Sequence, residues 1–266
     1  MALWEKRASK PKGTILLLHG KTWSALPDFD LQVTGENLSF MDGLVEKGYT
    51  VYALDGRGYG GTPRDHTGWL TPDRAAQDAT AILTWIKSRN GIASHLFGWS
   101  YGSMVAQLVV QRLPDLVSSV TLFGYPYYRG RFASTERPEY PAEAPAKENT
   151  AHNAASDFIT PGSISDEAIA AYVAAALSAD PVRVDFKDLH QWQALDPTRI
   201  KTPLLLLQAE FDPLATTEHQ GEFFQAVATS NKWWVSLPDG DHAALLETPR
   251  QRMLDAIDGF ISNLHQ

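Results

Sequence analysis

The 266-residue chain contains no cysteine. Disulfides, thiolate metal sites and a thiol nucleophile are therefore excluded. The absence leaves the compartment open, because disulfide-free proteins occur in all of them. Positive charge is sparse: 23 Lys and Arg stand against 31 Asp and Glu, a formal net charge of −8. Without a basic cluster, neither nucleic acid nor an anionic membrane surface is an expected partner. No apolar run reaches the roughly 20 residues of a membrane-spanning helix. Residues 1–12 are charged and lack the apolar stretch of a signal peptide, so a cytoplasmic location is expected. There is no H-E-x-x-H, and Asp239, Asp241 and His242 fit a loop around a base better than a metal site. Neither a metal nor another cofactor is expected. Internal repeats and low-complexity tracts are missing too. What remains, 44% hydrophobic and 20% charged, suits one globular domain with a large core.

The most telling stretch present is Gly98-Trp99-Ser100-Tyr101-Gly102, a G-x-S-x-G pattern. The apolar run His95-Leu96-Phe97 leads in, and a helical pattern over 103–113 leads out to Pro114. Strand, sharp turn and helix form the context of a nucleophile elbow. The glycines are needed because side chains two residues either side of the serine would collide.

Further short apolar runs lie at 14–18, 49–54, 120–123, 204–207 and 233–237. They lack polar alternation, which predicts strands buried on both faces of a parallel sheet. Helical patterns separate them. Thr71-Pro72-Asp73 reads as a cap with proline at the first helical position, and Ala75, Ala79, Ile82 and Ile86 follow on one face. Thr248-Pro249 opens a last helix carrying Met253, Ile257, Phe260 and Leu264. Such alternation predicts an open α/β sheet with right-handed crossovers. It lapses between 125 and 196, where 138–145 is Pro-rich and helical patterns cover 149–158 and 165–177. The expected organisation is a core built from 1–124 and 197–266, with a helical lid, 125–196, inserted.

A serine hydroxyl needs a base within hydrogen-bond reach, and the base needs an orienting acid. His242 is the expected base, because it follows the 233–237 run in a loop of the kind where open α/β sheets place site residues. His66, His95, His152, His190, His219 and His265 lie in less suitable settings, and His19 suits a role in supporting its own turn. Asp212, just past the 204–207 run, is the expected acid, with Glu210 as its rival. An oxyanion requires preorganised donors. One is expected from the backbone N–H of Tyr101. The other is expected from Lys21, with Thr22 and Trp23 as alternatives, because Gly20 lets that loop come close. Arg57 suits a structural role in the turn Asp55-Gly56-Arg57-Gly58. Trp23, Trp99 and Tyr125 are candidate substrate-binding rings for a bulky apolar ester, although each taken alone is better explained by core or lid packing.

The His19-Gly20 turn, the Asp55-Gly56-Arg57-Gly58 turn, the elbow at Ser100, the acid turn at Asp212 and the base at His242 resemble the α/β-hydrolase superfamily over about residues 12–264. The order Ser, Asp, His is that family's. The resemblance implies an α/β-hydrolase fold: a mostly parallel, eight-stranded open sheet flanked by helices, with a lid inserted after the sixth strand. The N-terminal segment is short for the family's first hairpin, so an edge strand is expected to be missing. Serine in place of aspartate at the elbow implies acyl transfer rather than epoxide or halide chemistry. The resemblance is to lidded serine esterases, and the stretch around Trp23, Trp99 and Tyr101 is weakly similar to esterases that open macrolide lactones. The implied partner is a small-molecule ester or lactone. A cofactor-free perhydrolase and a hydrolase-fold small-molecule receptor are the competing expectations.

Overall fold

In the computed structural model, residues 1–128, 130 and 138–264 are described. His265 and part of the expected lid, 129 and 131–137, lie outside the described residues. Among the described residues nine strands run in chain order: β1 (Leu3–Lys6), β2 (Gly13–Leu18), β3 (Tyr49–Leu54), β4 (Trp69–Leu70), β5 (Ser94–Trp99), β6 (Val117–Phe123), β7 (Asp185–Phe186), β8 (Leu204–Ala209) and β9 (Lys232–Leu237). The helices are α1 (Ala25–Phe29), α2 (Phe40–Glu46), α3 (Pro72–Asn90), α4 (Tyr101–Arg112), α5 (Ala151–Ala155), α6 (Asp166–Ala179), α7 (Thr217–Ala226) and α8 (Arg250–Asn263).

Among the described residues the main sheet has seven strands in the order β1-β3-β2-β5-β6-β8-β9. Only β1 runs antiparallel. The sheet is one strand short of the eight implied by the resemblance, as the short N-terminal segment led us to expect. Its strands show why the apolar runs lack alternation. Ile15, Leu17, Leu205 and Leu207 point into one hydrophobic cluster, and Leu16, Leu18, Leu204 and Leu206 into the other. Each strand thus buries both faces under helices. The exceptions are the sheet's two edges: β1, whose Trp4 is 38% exposed, and β9. There Trp233 stays 37% exposed and rests edge-on against Phe260 of α8.

Helix starts follow local chemistry. The Thr71 hydroxyl accepts from Arg74 N–H to cap α3, and the Ser165 hydroxyl accepts from Ala168 N–H to cap α6. The buried face of α3 is Ala76, Ala79, Leu83 and Ile86, so Ala75 and Ile82 flank the stripe rather than form it. The 149–158 pattern yields only the five residues of α5. Between β6 and β8 the chain also makes a two-residue strand that the sequence did not suggest: β7 pairs in parallel with β4.

Buried carboxyl groups join this intervening segment to the sheet. Asp241, fully buried, accepts the N–H groups of Ile159 (2.8 Å) and Thr160 (2.6 Å) with one oxygen and that of Ala243 (2.9 Å) with the other. Glu247 accepts Asp241 N–H at 3.0 Å and the Ser163 hydroxyl at 2.7 Å. Burial raises the Glu247 pKa from 4.5 to about 7.

A carboxyl that binds its proton more tightly folded than unfolded makes stability fall as pH rises between the two pKa values. Glutamine in place of Glu247 keeps an acceptor for Asp241 N–H and removes the charge. Urea denaturation of Glu247→Gln should therefore show a flatter loss of stability than wild type between about pH 4.5 and pH 7. Parallel profiles would mean that Glu247 is not held protonated by the fold.

Candidate active site

The strand order reverses direction at β2, whose neighbours are β3 on one side and β5 on the other. A crevice opens beyond the carboxyl ends of strands at such a point. Ser100 directly follows β5, Asp212 lies three residues past Ala209 of β8, and His242 lies five past Leu237 of β9. Three residues distant in sequence therefore emerge on the same edge of the sheet.

Ser100 has φ 53° and ψ −116°, a strained conformation for a residue with a side chain. Its N–H donates to Phe123 O at 2.9 Å, which ties the elbow to the end of β6. Gly102 explains the sharpness of the turn. A Cβ there would lie 2.3 Å from the carbonyl oxygen of Leu18 and 2.6 Å from that of His19. Helix α4 can thus press directly on the end of β2.

The imidazole and the acid meet. His242 Nδ1–H donates to Asp212 Oδ2 at 2.9 Å. A carboxylate can only accept, so the Nδ1 proton is fixed and Nε2 is left as the free base position. The other Asp212 oxygen accepts Leu214 N–H (2.8 Å) and Ala215 N–H (3.3 Å). Its side chain is wholly buried, and that of His242 is 12% exposed. Glu210, the rival acid, is exposed and accepts Asp239 N–H instead. Gly124 makes room for the pair: a Cβ there would lie 2.9 Å from His242 Cε1 and 3.0 Å from Nδ1. The sequence reading did not single out this glycine, although its place directly after the β6 run was a signal. The Trp99 indole N–H donates to His242 O at 2.8 Å and holds the loop from below.

Ser100 and His242 line one cavity of about 350 Å³ with Gly20, Lys21, Trp99, Tyr101, Met104, Pro126, Asp157, Phe186, Leu189, Trp192 and Leu214. Among the described residues no hydrogen bond joins Ser100 Oγ to His242. Catalytic contacts of this kind commonly tighten only when substrate is bound. Lys21 and Tyr101 both border the cavity, and the Gly20 Cβ position lies 3.7 Å from Ser100 Cβ. Thr22 N–H is already directed at the Tyr59 hydroxyl (3.4 Å), which leaves Lys21 the better-placed donor. His19 is buried and neutral, its pKa lowered by burial. Gly56 N–H donates to its Nε2 at 3.0 Å, so its Nδ1–H donates to Gly20 O at 2.7 Å. Arg57 bridges to Asp78 of α3, which is a structural role.

Two of the three proposed substrate-binding rings lie elsewhere. Trp23 is buried in the core and gives its indole N–H to Asp157 at 3.1 Å. Tyr125 is buried beside Phe223, its hydroxyl on Gln107. Neither borders the cavity, because long-range partners draw both rings inward. Trp99 does border it. The sequence reading missed Asp157, Met104, Phe186 and Trp192, which no local motif marks. Among the described residues, no group of three His, Asp or Glu side chains could hold a metal ion, and no helix is long and apolar enough to cross a membrane.

Solved structures share this architecture. An esterase from Thermogutta terrifontis is 18% identical, with a TM-score of 0.73, over 100% of this chain and 94% of its own. A monoacylglycerol lipase from Paleococcus ferrophilus is 18% identical, with a TM-score of 0.66, over 99% and 100%. A meta-cleavage product hydrolase from Pseudomonas fluorescens is 15% identical, with a TM-score of 0.69, over 98% and 93%. At these identities the likeness concerns the fold. No curated protein sequence matches the chain. A family model described as serine aminopeptidase, S33, matches residues 9–249. That match covers most of the chain, which therefore belongs to this family of α/β hydrolases.

Proposed function

We propose that the protein is a serine hydrolase that cleaves a carboxylic ester or lactone through an acyl-enzyme. The supporting observation is the Asp212–His242 hydrogen bond at the wall of the cavity that Ser100 also lines. Ser100 Oγ attacks the carbonyl carbon as His242 Nε2 takes its proton. The oxyanion collects at the N–H groups of Tyr101 and Lys21. His242 passes the proton to the leaving alcohol, and water, deprotonated by His242, releases the acid. Asp212 keeps the imidazole oriented and stabilises its charged form.

The walls favour an apolar substrate, with Trp99, Met104, Phe186 and Trp192 inside and Leu189 and Leu214 nearly half exposed at the rim. A small ester fits within about 350 Å³. A macrolide-sized lactone would enter with its ester edge only and lay its ring on that rim. Residues 125–196 act in this reading as a lid that supplies Asp157, Phe186, Leu189 and Trp192 to the site.

A fluorophosphonate should label Ser100 in wild type and fail on Ser100→Ala and His242→Ala. Steady hydrolysis of p-nitrophenyl esters should vanish in Ser100→Ala; turnover that survives the substitution would falsify the mechanism. Asp212→Asn should lower kcat on the order of 10³–10⁴-fold while the fold stays intact, because it disturbs the tautomer of His242. Repeated turnover without peroxide separates this reading from a receptor, which would bind once, and from a perhydrolase, which would need peroxide. Faster cleavage of an aminoacyl anilide than of any ester would move the reading to peptide bonds.

A further inference from the structure

Two charged side chains outside the triad line the cavity, Lys21 and Asp157, and the mechanism gives the Asp157 carboxyl no task. Asp157 lies just past α5, 157 residues from the chain start and far in sequence from every catalytic position, yet it borders the same space as Ser100 and His242. Its placement is built. The Trp23 indole N–H donates to Oδ2 at 3.1 Å, and two residues on, the backbone N–H groups of Ile159 and Thr160 are both held by buried Asp241. Among the described residues no Lys or Arg forms an ion pair with it. A neutral acceptor would serve the Trp23 indole equally well. A carboxylate kept in an aromatic cavity, at the desolvation cost that implies, is explained by a cation that arrives with the substrate.

We propose that Asp157 and the aromatic walls of the cavity form a subsite for an alkylated ammonium group, so that the preferred substrates are esters or lactones carrying a tertiary or quaternary amine. The inference rests on the serine-hydrolase reading for its chemistry, but the subsite stands on its own geometry. Trp99, Tyr101, Phe186 and Trp192 supply ring faces and edges in the same cavity. Alkylated ammonium ions are weakly hydrated and bind well against such rings beside a carboxylate. The wall already seats one cation: Lys21 Nζ lies over the Phe186 ring, 5.3 Å from its centroid. Burial of that ammonium and the nearby Arg183 lower its pKa, with Asp185 opposing them. The groups acting on Asp157 are His242 and Asp241 from the loop after β9, Trp23 from the loop after β2, Tyr172 from α6 and Asp28 from α1. Burial brings the Asp157 pKa up to about 6, with His242 opposing the rise, so the carboxylate is charged at neutral pH.

The test uses three hexanoate esters of similar shape: the choline ester, its uncharged 3,3-dimethylbutyl isostere and the anionic 3-sulfopropyl ester. Wild type should favour the choline ester over the isostere by ~10-fold or more in kcat/KM, with the difference in KM. Asp157→Asn, which keeps an acceptor for Trp23, should bring the ratio to about 1, and Asp157→Glu should restore part of it. The wild-type ratio should also fall as pH drops through about 6. Phenyltrimethylammonium, titrated by calorimetry, should bind wild type and not Asp157→Asn. The proposal is overturned by a ratio near 1 in wild type, by a preference that survives Asp157→Asn, or by a preference for the sulfonate, which would assign the subsite to Lys21. Failure of all ester turnover with the ammonium still bound would remove the hydrolase reading and leave the subsite standing. Turnover of the neutral ester without ammonium binding would do the reverse.

Discussion

Helix α4 presses against the carboxyl end of β2, and the site is organised by that close approach. Gly102 meets the carbonyls of Leu18 and His19 where any Cβ would clash, so the elbow and the turn after β2 form one packed unit. Ser100 pays for its position with a backbone conformation that costs on the order of 1–3 kcal/mol. The surroundings hold it there. Every residue from Tyr101 to Gln111 is buried, and Ser100 N–H is anchored to β6. The same contact brings Gly20 beside Ser100, with His19 clamped between Gly20 O and Gly56 N–H behind it. The proposed nucleophile and the proposed oxyanion donors are therefore positioned by one and the same contact.

Much of this was legible in the sequence, because burial on both faces leaves unbroken apolar runs and sharp turns leave glycines. The central strands β2, β3 and β8 followed from that logic, whereas the order Ser, Asp, His was recognised through the family resemblance. The edge strand β9 looked the same in sequence, yet it has only one neighbour strand, and Trp233 is partly exposed as a result. Asp212 was already the expected acid with Glu210 as its rival, and the coordinates add how the loop separates them. Glu210, the first residue past β8, turns outward to Asp239, and two more residues of loop carry Asp212 back beneath His242. The aromatic assignments failed at Trp23 and Tyr125 because proximity in sequence to the chemistry does not decide which way a ring faces. Trp23 is turned inward by Asp157, separated from it by 134 positions, and Tyr125 is held by Gln107 and Phe223. Asp157 itself sits in no motif, and Trp23, which donates to it, crosses from the core to the intervening segment.

Those crossing contacts follow a consistent pattern. The ion pairs of this protein, such as Lys47–Asp255 and Arg112–Asp73, lie largely at the surface, where each contributes little. The segment between β6 and β8 is instead joined to the sheet domain by buried carboxyl groups that accept backbone N–H bonds. Asp241 reaches from the core to Ile159 and Thr160. Asp180 reaches the other way, to Ser24 N–H (2.8 Å) and Gly60 N–H (2.8 Å), and burial raises its pKa. Hydrogen bonds to a charged acceptor are worth roughly 1.5–3 kcal/mol each, and leaving a buried partner unpaired costs a comparable amount.

This arrangement constrains how a substrate reaches Ser100. Lifting the segment as a rigid flap would break the N–H bonds at both Asp180 and Asp241 and strand two carboxyl groups. It would also withdraw Asp157 and Phe186 from the cavity they help to enclose. At the wall near Leu189 and Leu214, Asp212 holds the backbone N–H of Leu214 but leaves its side chain free to turn, and both leucines are already nearly half exposed. Rotamer changes of two leucines cost far less than breaking four charge-assisted hydrogen bonds. Entry is therefore least costly across that apolar rim, with Ser24, Gly60, Ile159 and Thr160 left in place. In the proposed mechanism Ser100, Asp212 and His242, the strained elbow and the carboxyl ties would then stay in place, while only the rim adapts to the shape of what is bound.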